Sequence, residues 1–590
     1  MNYHEEEIMG KAVDSRLMNR LLTYLYPFKW LALLSFVVLL FVAAMELAGP
    51  YLLKLAIDNE LANKDYQGLV LLMLIYSGVI VFQSLGQAGH HLLTRWLGQK
   101  IMYDIRMQVF SHIQKLPLSF FDRNPVGRLV TRVTNDVETL NEMLSSGVVA
   151  ILGDIVVLIG IVVVMLTLNW QLALVTFIVL PFMFLATYIF RKKVRDAYRK
   201  TRLRLAKINS FLQENISGMA TVQIFNREQE NYDRFKKLND AYRQANLQSI
   251  RYHGMFYPTI NMLMTFSTAL LIWYGGTRVF QDFLSLGVLV AFMRYINRFF
   301  MPIRDLADKY NMMQAAMASS ERVFKLLDEP EQQPHHGEAI SLAKARGKIE
   351  FKNVSFAYNG KDFVLKDVSF VIQPGEKVAI VGATGAGKTS IISLINRMYE
   401  PTRGQILIDD IDTRQIPLEE LRNRIGVVLQ DVFIFSGSVQ QNITLGDPDI
   451  SQSNIELAAR RVNADRFINR MPARFQNELT ERGSNLSVGQ KQLLSFARAL
   501  AYDPEILILD EATSSVDTET ELLISDAIHK LMQDRTSIII AHRLSTIKDV
   551  DWIIVLHKGE IREIGTHDEL LGKRDVYYRL YQLQFGSKAA

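Results

Sequence analysis

From Val148 to Leu168 the chain is nearly all aliphatic, and only Leu168-Asn169-Trp170 separates this run from a second apolar run reaching about residue 190. Each run is long enough to cross the roughly 30 Å hydrocarbon layer of a bilayer as a helix. Inside that layer every backbone N–H and C=O must find its partner within the protein, which is why apolar runs of this length become helices. Two such runs joined by so short a hinge do not suit a soluble core.

Four more spans of roughly 20 residues lie near residues 30–53, 68–89, 256–276 and 285–304. The last two are less pure, and the sixth carries Arg294 and Arg298. Lysine and arginine set the orientation. The connection between spans two and three carries Arg95, Lys100, Arg106, Lys115, Arg123, Arg128 and Arg132. The connection between spans four and five runs basic from Arg191-Lys192-Lys193 to Arg251. The other three connections are short and nearly free of basic charge. Both termini and both long connections are therefore expected on the cytoplasmic side of the membrane. The long connections are polar but helix-periodic and read as helices continuing beyond the bilayer. Ahead of span one, Leu17, Leu21, Leu25 and Phe28 recur at helical spacing beside Arg16, Arg20 and Lys29. This is either an interfacial helix or the first turns of span one, and Pro27 favours a break.

At 590 residues the chain needs more than one core. Its net charge of +5 lies largely beside the apolar spans, which suits phosphate and membrane lipids and not a nucleic-acid groove. The absence of cysteine excludes disulfides, thiolate metal sites and cysteine catalysis. No basic segment precedes an apolar core at the start, so no cleavable signal peptide is expected. A segment with Glu329-Pro330 and Gln333-Pro334-His335-His336-Gly337 reads as a solvated linker and not a metal site, with no Asp, Cys or third His close to the two histidines. The expected domains are a membrane domain over 1–328, a linker over 329–347 and a soluble α/β domain over 348–590.

In that second half, Gly382-Ala383-Thr384-Gly385-Ala386-Gly387-Lys388-Thr389 follows the apolar run Lys377–Val381 and precedes a helical pattern through Ile395. Strand, glycine loop and helix are the context a phosphate-binding P-loop requires. Backbone N–H groups and the helix N-terminus face the phosphates. Lys388 reaches the β- and γ-phosphates, and the Thr389 hydroxyl sits on Mg²⁺. Ile506–Leu509 is a fully apolar strand that ends in Asp510-Glu511. There Asp510 can hold Mg²⁺ through water and Glu511 can polarise the attacking water. Leu486-Ser487-Val488-Gly489-Gln490 precedes a helical pattern over 493–500, a second candidate phosphate surface. His542 follows another apolar strand, Thr536–Ala541.

The whole chain resembles the half-transporters of the ATP-binding cassette exporter family: an α-helical transmembrane domain followed by an α/β P-loop nucleotide-binding domain. The ordered set that carries the resemblance is Tyr358, the P-loop with Ser390, Gln430, the Ser487–Gln490 signature, the Asp510-Glu511 pair, Asp517 and His542. The resemblance implies that Tyr358 stacks on adenine and that Gln430 senses Mg²⁺ and the γ-phosphate. It implies that Ser487 and Gly489 hold the ATP of an opposing cassette, and that Ser514–Asp517 runs along the dimer interface. Glu481-Arg482-Gly483 would touch a partner's intracellular helices. Ser119-Phe120-Phe121-Asp122 and Ser217–Arg227 look like coupling helices.

The function this implies is ATP-driven export of hydrophobic or amphipathic compounds, of the multidrug efflux type, by one half of a dimer. Alternatives are a lipid or lipopolysaccharide flippase and, from another class, an ATP-gated channel or regulatory membrane ATPase. Val488 stands where the family most often has glycine, while Lys388, Asp510, Glu511 and His542 are intact. That combination resembles the consensus subunit of heterodimeric bacterial exporters, so a second, different half-transporter is the favoured partner over a homodimer. Glu46 and Asp154 lie inside apolar spans, where carboxylates are costly. They either attract cationic cargo or pair with Arg294, Arg298 or helix backbone.

Overall fold

The structure is a computed structural model and describes residues 14–143, 145, 149–332, 335–342, 344–510, 518–540 and 547–585. It divides into two compact units, residues 1–114 with 127–329 and residues 115–126 with 330–590.

The first unit is all helical. Helix α1 (Ser15–Thr23) is capped by Asp14, whose side chain accepts from the Arg16 N–H at 2.8 Å. The chain then makes a tight turn over Tyr26–Phe28, with Pro27 inside it, before α2 (Lys29–Leu55) begins. The segment ahead of span one is thus a helix of its own. It is tied down by Arg20, which makes two 2.8 Å bonds to the Asp328 carboxylate and lies 4.3 Å over the Phe324 ring.

The other long helices are α3 (Tyr66–Gln114), α4 (Val149–Leu168), α5 (Trp170–Phe177), α6 (Leu180–Ser217), α7 (Glu228–Phe280) and α8 (Leu286–Leu327). Asn169 caps α5, accepting from the Leu172 N–H at 2.9 Å, which lets the hairpin after α4 close within one residue. The span expected over 170–190 is two helices, broken just before Pro181. Prolines suit a first helical turn because their missing N–H has no intrahelical role there. Five segments are long and apolar enough to cross a membrane among the described residues: 26–61, 66–114, 151–168, 170–217 and 228–280. The sixth expected span falls on α8. Helices α3, α6 and α7 run 49, 38 and 53 residues. At 1.5 Å per residue each outruns the bilayer, as the periodicity of the connections predicts.

The second unit contains a six-stranded sheet in the order β12-β11-β3-β10-β9-β6. Its strands are β3 (Lys377–Val381), β6 (Ile425–Val428), β9 (Ile506–Asp510), β10 (Thr536–Ile540), β11 (Trp552–His557) and β12 (Glu560–Gly565). All pairings are parallel except the edge pair β11–β12. The apolar runs of β3, β9 and β10 alternate between two cores. Val378, Ile380, Ile506, Ile508, Ile538 and Ile540 face one, and Ala379, Val381, Leu507, Leu509 and Ile539 face the other. Burial on both faces is why these strands read as unbroken hydrophobic runs. The first core is completed by a second sheet in which β1 (Ile349–Phe356) pairs antiparallel with β2 (Leu365–Ile372) and β4 (Arg403–Ile408).

Candidate nucleotide-binding site

Parallel pairing aligns the strand ends that carry the candidate residues. Ile540 is opposite both Ile380 and Asp510, and Val428 is opposite Leu509. The P-loop, Asp510 and the segment leading to Gln430 therefore leave the sheet along one edge, the carboxyl-end crevice where open α/β sheets bind ligands.

The loop after β3 is shaped by its glycines. Gly385 and Gly387 have φ of 81° and 105°, a region that side chains resist. A Cβ on Gly382 would stand 2.4 Å from the Leu556 carbonyl oxygen. Helix α9 (Lys388–Ile395) starts directly after Gly387. The Lys388 ammonium donates to the Gly382 carbonyl at 2.7 Å and the Ala383 carbonyl at 3.1 Å. Burial lowers its pKa below that of an ordinary lysine, and the Asp510 carboxylate opposes the shift. Lys388, Ser390 and Asp510 are all buried. Thr389 follows Lys388 in the first turn of α9, and Ala383, Thr384 and Ala386 complete the loop.

Ser390 faces Tyr358, with 3.0 Å between the two hydroxyls. The Tyr358 ring is 42% exposed and held edge-on between Phe356 and Tyr399, with centroids at 4.7 and 4.9 Å. An open ring face beside the P-loop is what base stacking requires. Gln430 is exposed two residues beyond the end of β6.

The second candidate phosphate surface differs from the sequence reading in one respect. Its helix, α10 (Val488–Ala501), begins five residues earlier than the pattern over 493–500 suggests. Ser487 is the cap and Gly489 lies within the first turn. The side chains of Ser487 and Gln490 bond each other's backbone N–H at 3.2 and 3.0 Å, a capping box that fixes where the helix starts. Val488 is 59% exposed. Glu511, Ser514, Asp517 and His542 lie outside the described residues.

Two connections were not anticipated. The Arg498 guanidinium in α10 donates to the Asn442 carbonyl at 2.8 Å and the Phe433 carbonyl at 3.2 Å. It thereby joins the signature helix to the segment just after Gln430, and burial lowers its pKa. Its signal is a lone arginine inside the apolar stretch Leu493–Leu500. The other is Tyr399, whose hydroxyl donates to the Asp122 carboxylate. Asp122 lies in the short helix Leu118–Arg123, within the stretch grouped with the second unit. The other segment read as a coupling helix forms a short helix, Met219–Ile224, between α6 and α7. Of the linker histidines, His336 lies 2.9 Å from the Glu400 carboxylate and His335 contacts the Gly337 carbonyl.

The family profile for the ABC transporter transmembrane region matches residues 32–303, and the ABC transporter profile matches residues 365–514. A Bacillus subtilis protein named a probable multidrug resistance ABC transporter ATP-binding/permease protein is 39% identical over 533 residues, 89% of this chain and 78% of its own length. An ATP-dependent lipid A-core flippase of Syntrophus aciditrophicus is 36% identical over 93% of this chain and 92% of its own. The solved structure of a bacterial Atm1-family ABC exporter with ATP bound superposes with a TM-score of 0.79 at 28% identity, covering 95% of this chain and 99% of that one. The chain belongs to the ABC transporter family, as a membrane-spanning exporter that carries its ATP-hydrolysing domain in the same polypeptide.

Proposed function

We propose that this chain is one half of a dimeric exporter that moves hydrophobic or amphipathic compounds out across the cytoplasmic membrane. The observation that carries the reading is the single strand-end edge that holds the P-loop, Asp510 and the approach to Gln430, in a chain that also holds the membrane helices. In this reading Lys388 and the loop N–H groups hold ATP, Tyr358 stacks on its base, and Glu511 polarises the attacking water. His542 and Gln430 contact the γ-phosphate region. Thr389 and Asp510 offer hard oxygen donors of the kind Mg²⁺ takes. Bound there, the ion would neutralise phosphate charge. Ser487, Gly489 and Gln490 serve the ATP held by the partner's P-loop, and Asp517 lies along the interface. One cassette supplies half of each composite site, so a dimer is required.

The basic connections support a topology with both termini and the cassette on the cytoplasmic side. A relative named for multidrug resistance supports efflux of varied amphiphiles. A relative named as a lipid A-core flippase supports a second reading, in which the amphiphile is a lipid. The test is ATP-dependent accumulation of fluorescent amphiphiles in inverted membrane vesicles. Accumulation against a gradient that stops with a non-hydrolysable ATP analogue is expected. ATP hydrolysis with no net movement of any amphiphile, or flux only down a gradient, would overturn it.

A further inference from the structure

Helix α8 is polar where its neighbours are apolar. Counted from Leu286 at 1.5 Å per residue, Arg294 lies about 12 Å and Arg298 about 18 Å along the helix, well within hydrocarbon depth. The buried face of α8 is apolar, including Phe292, Ile296 and Phe300. Arg294, Asn297 and Met301 are exposed. Spacings of three and four residues put these side chains on one stripe. Arginine and asparagine at that depth are costly against lipid, which favours a stripe turned to other protein or to a water-filled cavity.

The two arginines in this part of α8, Arg294 and Arg298, are not equivalent. Arg298 donates to the Glu46 carbonyl, and its guanidinium lies 3.9 Å from the Glu46 carboxylate. That carbonyl lacks its helical partner because Pro50, four residues on, has no N–H. Tyr295 covers the next carbonyl, that of Leu47, at 2.6 Å. The other intramembrane carboxylate, Asp154, is paired with Lys309. Both acids are thus neutralised by α8, which removes the basis for their attracting cationic cargo. Arg294 has no hydrogen bond or ion pair among the described residues. Asn297 gives one amide N–H to the Met293 carbonyl at 3.0 Å and retains a second.

The geometry points to Arg294 as the head-group site for a cargo with one carboxylate and an extended apolar body. This rests on the export reading and names the cargo class of that same transporter. A guanidinium presents a planar fork that matches a carboxylate in two parallel bonds. A single charge with no acidic partner among the described residues suits a monoanion. Met301 on the same stripe gives the apolar body a soft, adaptable surface. A cationic amphiphile meets a like charge.

The test uses the purified, assembled transporter in lipid nanodiscs, with hexadecanoate, hexadecanol and hexadecyltrimethylammonium as probes of ATPase stimulation. Hexadecanoate is expected to act at a concentration at least tenfold below that of the alcohol. Arg294→Gln should raise the hexadecanoate concentration for half-maximal stimulation at least tenfold and leave the hexadecanol value within twofold. Arg294→Lys should fall between. Because the chain has no cysteine, Arg294→Cys supplies an independent route should Arg294→Gln fail to fold. A thiol reagent adding an ammonium should restore the hexadecanoate response, and one adding a sulfonate should not. A hexadecanoate response unchanged by Arg294→Gln, or indifferent to the charge added at Cys, overturns the inference. So does a wild type stimulated only by the neutral or cationic probe, although export then stands. If no probe of any charge stimulates the ATPase and no amphiphile accumulates in inverted vesicles, the export reading itself fails.

Discussion

The Tyr399 hydroxyl donates to the Asp122 carboxylate, while the Tyr399 ring meets the Tyr358 ring edge-on with 4.9 Å between centroids. One side chain therefore touches both the proposed adenine platform and the short helix Leu118–Arg123. Burial, with the Asp122 carboxylate next, pushes the Tyr399 pKa well above that of a free tyrosine, so the hydroxyl stays a donor at any physiological pH. A second link runs from the same segment: the Gln332 N–H donates to the Lys115 carbonyl at 2.9 Å.

Tyr399→Phe keeps the ring against Tyr358 and removes the donor. The expected loss is about 1 kcal/mol from the seating of residues 115–126, the usual scale for one hydrogen bond. Amide exchange should show faster opening of residues 115–126, with ATP affinity changed by less than about threefold, under 1 kcal/mol. Unchanged exchange in that segment would show that the bond does not hold it.

In the proposed site, Lys388 should make nucleotide binding pH-dependent. Its pKa is lowered in the free site, chiefly by burial, so it loses its proton where an ordinary lysine keeps it. Phosphate favours the charged form, and binding above the lowered pKa therefore takes up a proton. Affinity for an ATP analogue should fall as pH rises through that lowered pKa, below the range in which an ordinary lysine titrates, by up to about tenfold per pH unit. Lys388→Ala should bind more weakly at neutral pH and lose that slope. A parallel slope in the variant would assign the titration elsewhere.

Asp136 is buried and accepts from Arg322 at 2.9 and 2.5 Å and from Ser319 at 2.9 Å. Arg322→Ala would leave that carboxylate with the serine alone. Breaking a fully buried pair costs about 3–5 kcal/mol. The Arg322 side chain is 43% exposed, so water replaces part of the loss and about 1–3 kcal/mol is expected. Thermal unfolding in detergent should show a clear drop for Arg322→Ala and a smaller one for Asp136→Asn, which also removes the charge. Equal drops would mean that the charge left alone is not the source.

Local pattern accounts for what was legible in the sequence. The apolar runs of β3, β9 and β10 mark strands because each is buried on both faces. The Ser487–Gln490 spacing also fits a capping box, a signal that a helix read only over 493–500 leaves unused. The start of α10 was misplaced because glycine and valine are weak helix formers and the cap outweighs them. Pairings between distant residues are legible only as alternatives. Arg298 is one of the candidate partners the sequence offers Glu46, and it is the one that lies 3.9 Å from that carboxylate. Nothing local says that it also covers the Glu46 carbonyl freed by Pro50. Likewise nothing near Asp58 indicates that its carboxylate accepts from Ser285 at 2.6 Å and from the Gly287 N–H at 2.7 Å, capping α8.

The last expectation concerns the partner. Val488 projects from the first turn of α10, 59% exposed, next to the Ser487 cap. A β-branched side chain there limits the approach of a phosphate to the N–H groups of that turn. The composite site to which this chain lends its signature is then the weaker one. The site built on its own P-loop keeps Lys388, Asp510, Glu511 and His542. Such asymmetry suits a heterodimer in which this chain supplies the intact hydrolytic residues. Expressed alone, the chain should purify without cargo-stimulated ATPase and gain it when a second half-transporter is co-expressed. Glu511→Gln in this chain alone should then cut steady turnover by about 10²–10⁴, the range for loss of a general base, with ATP binding kept. Val488→Gly should raise turnover only if the weak site limits the cycle. A stable homodimer of this chain with drug-stimulated ATPase and transport would instead make Val488 a tolerated substitution in two identical sites.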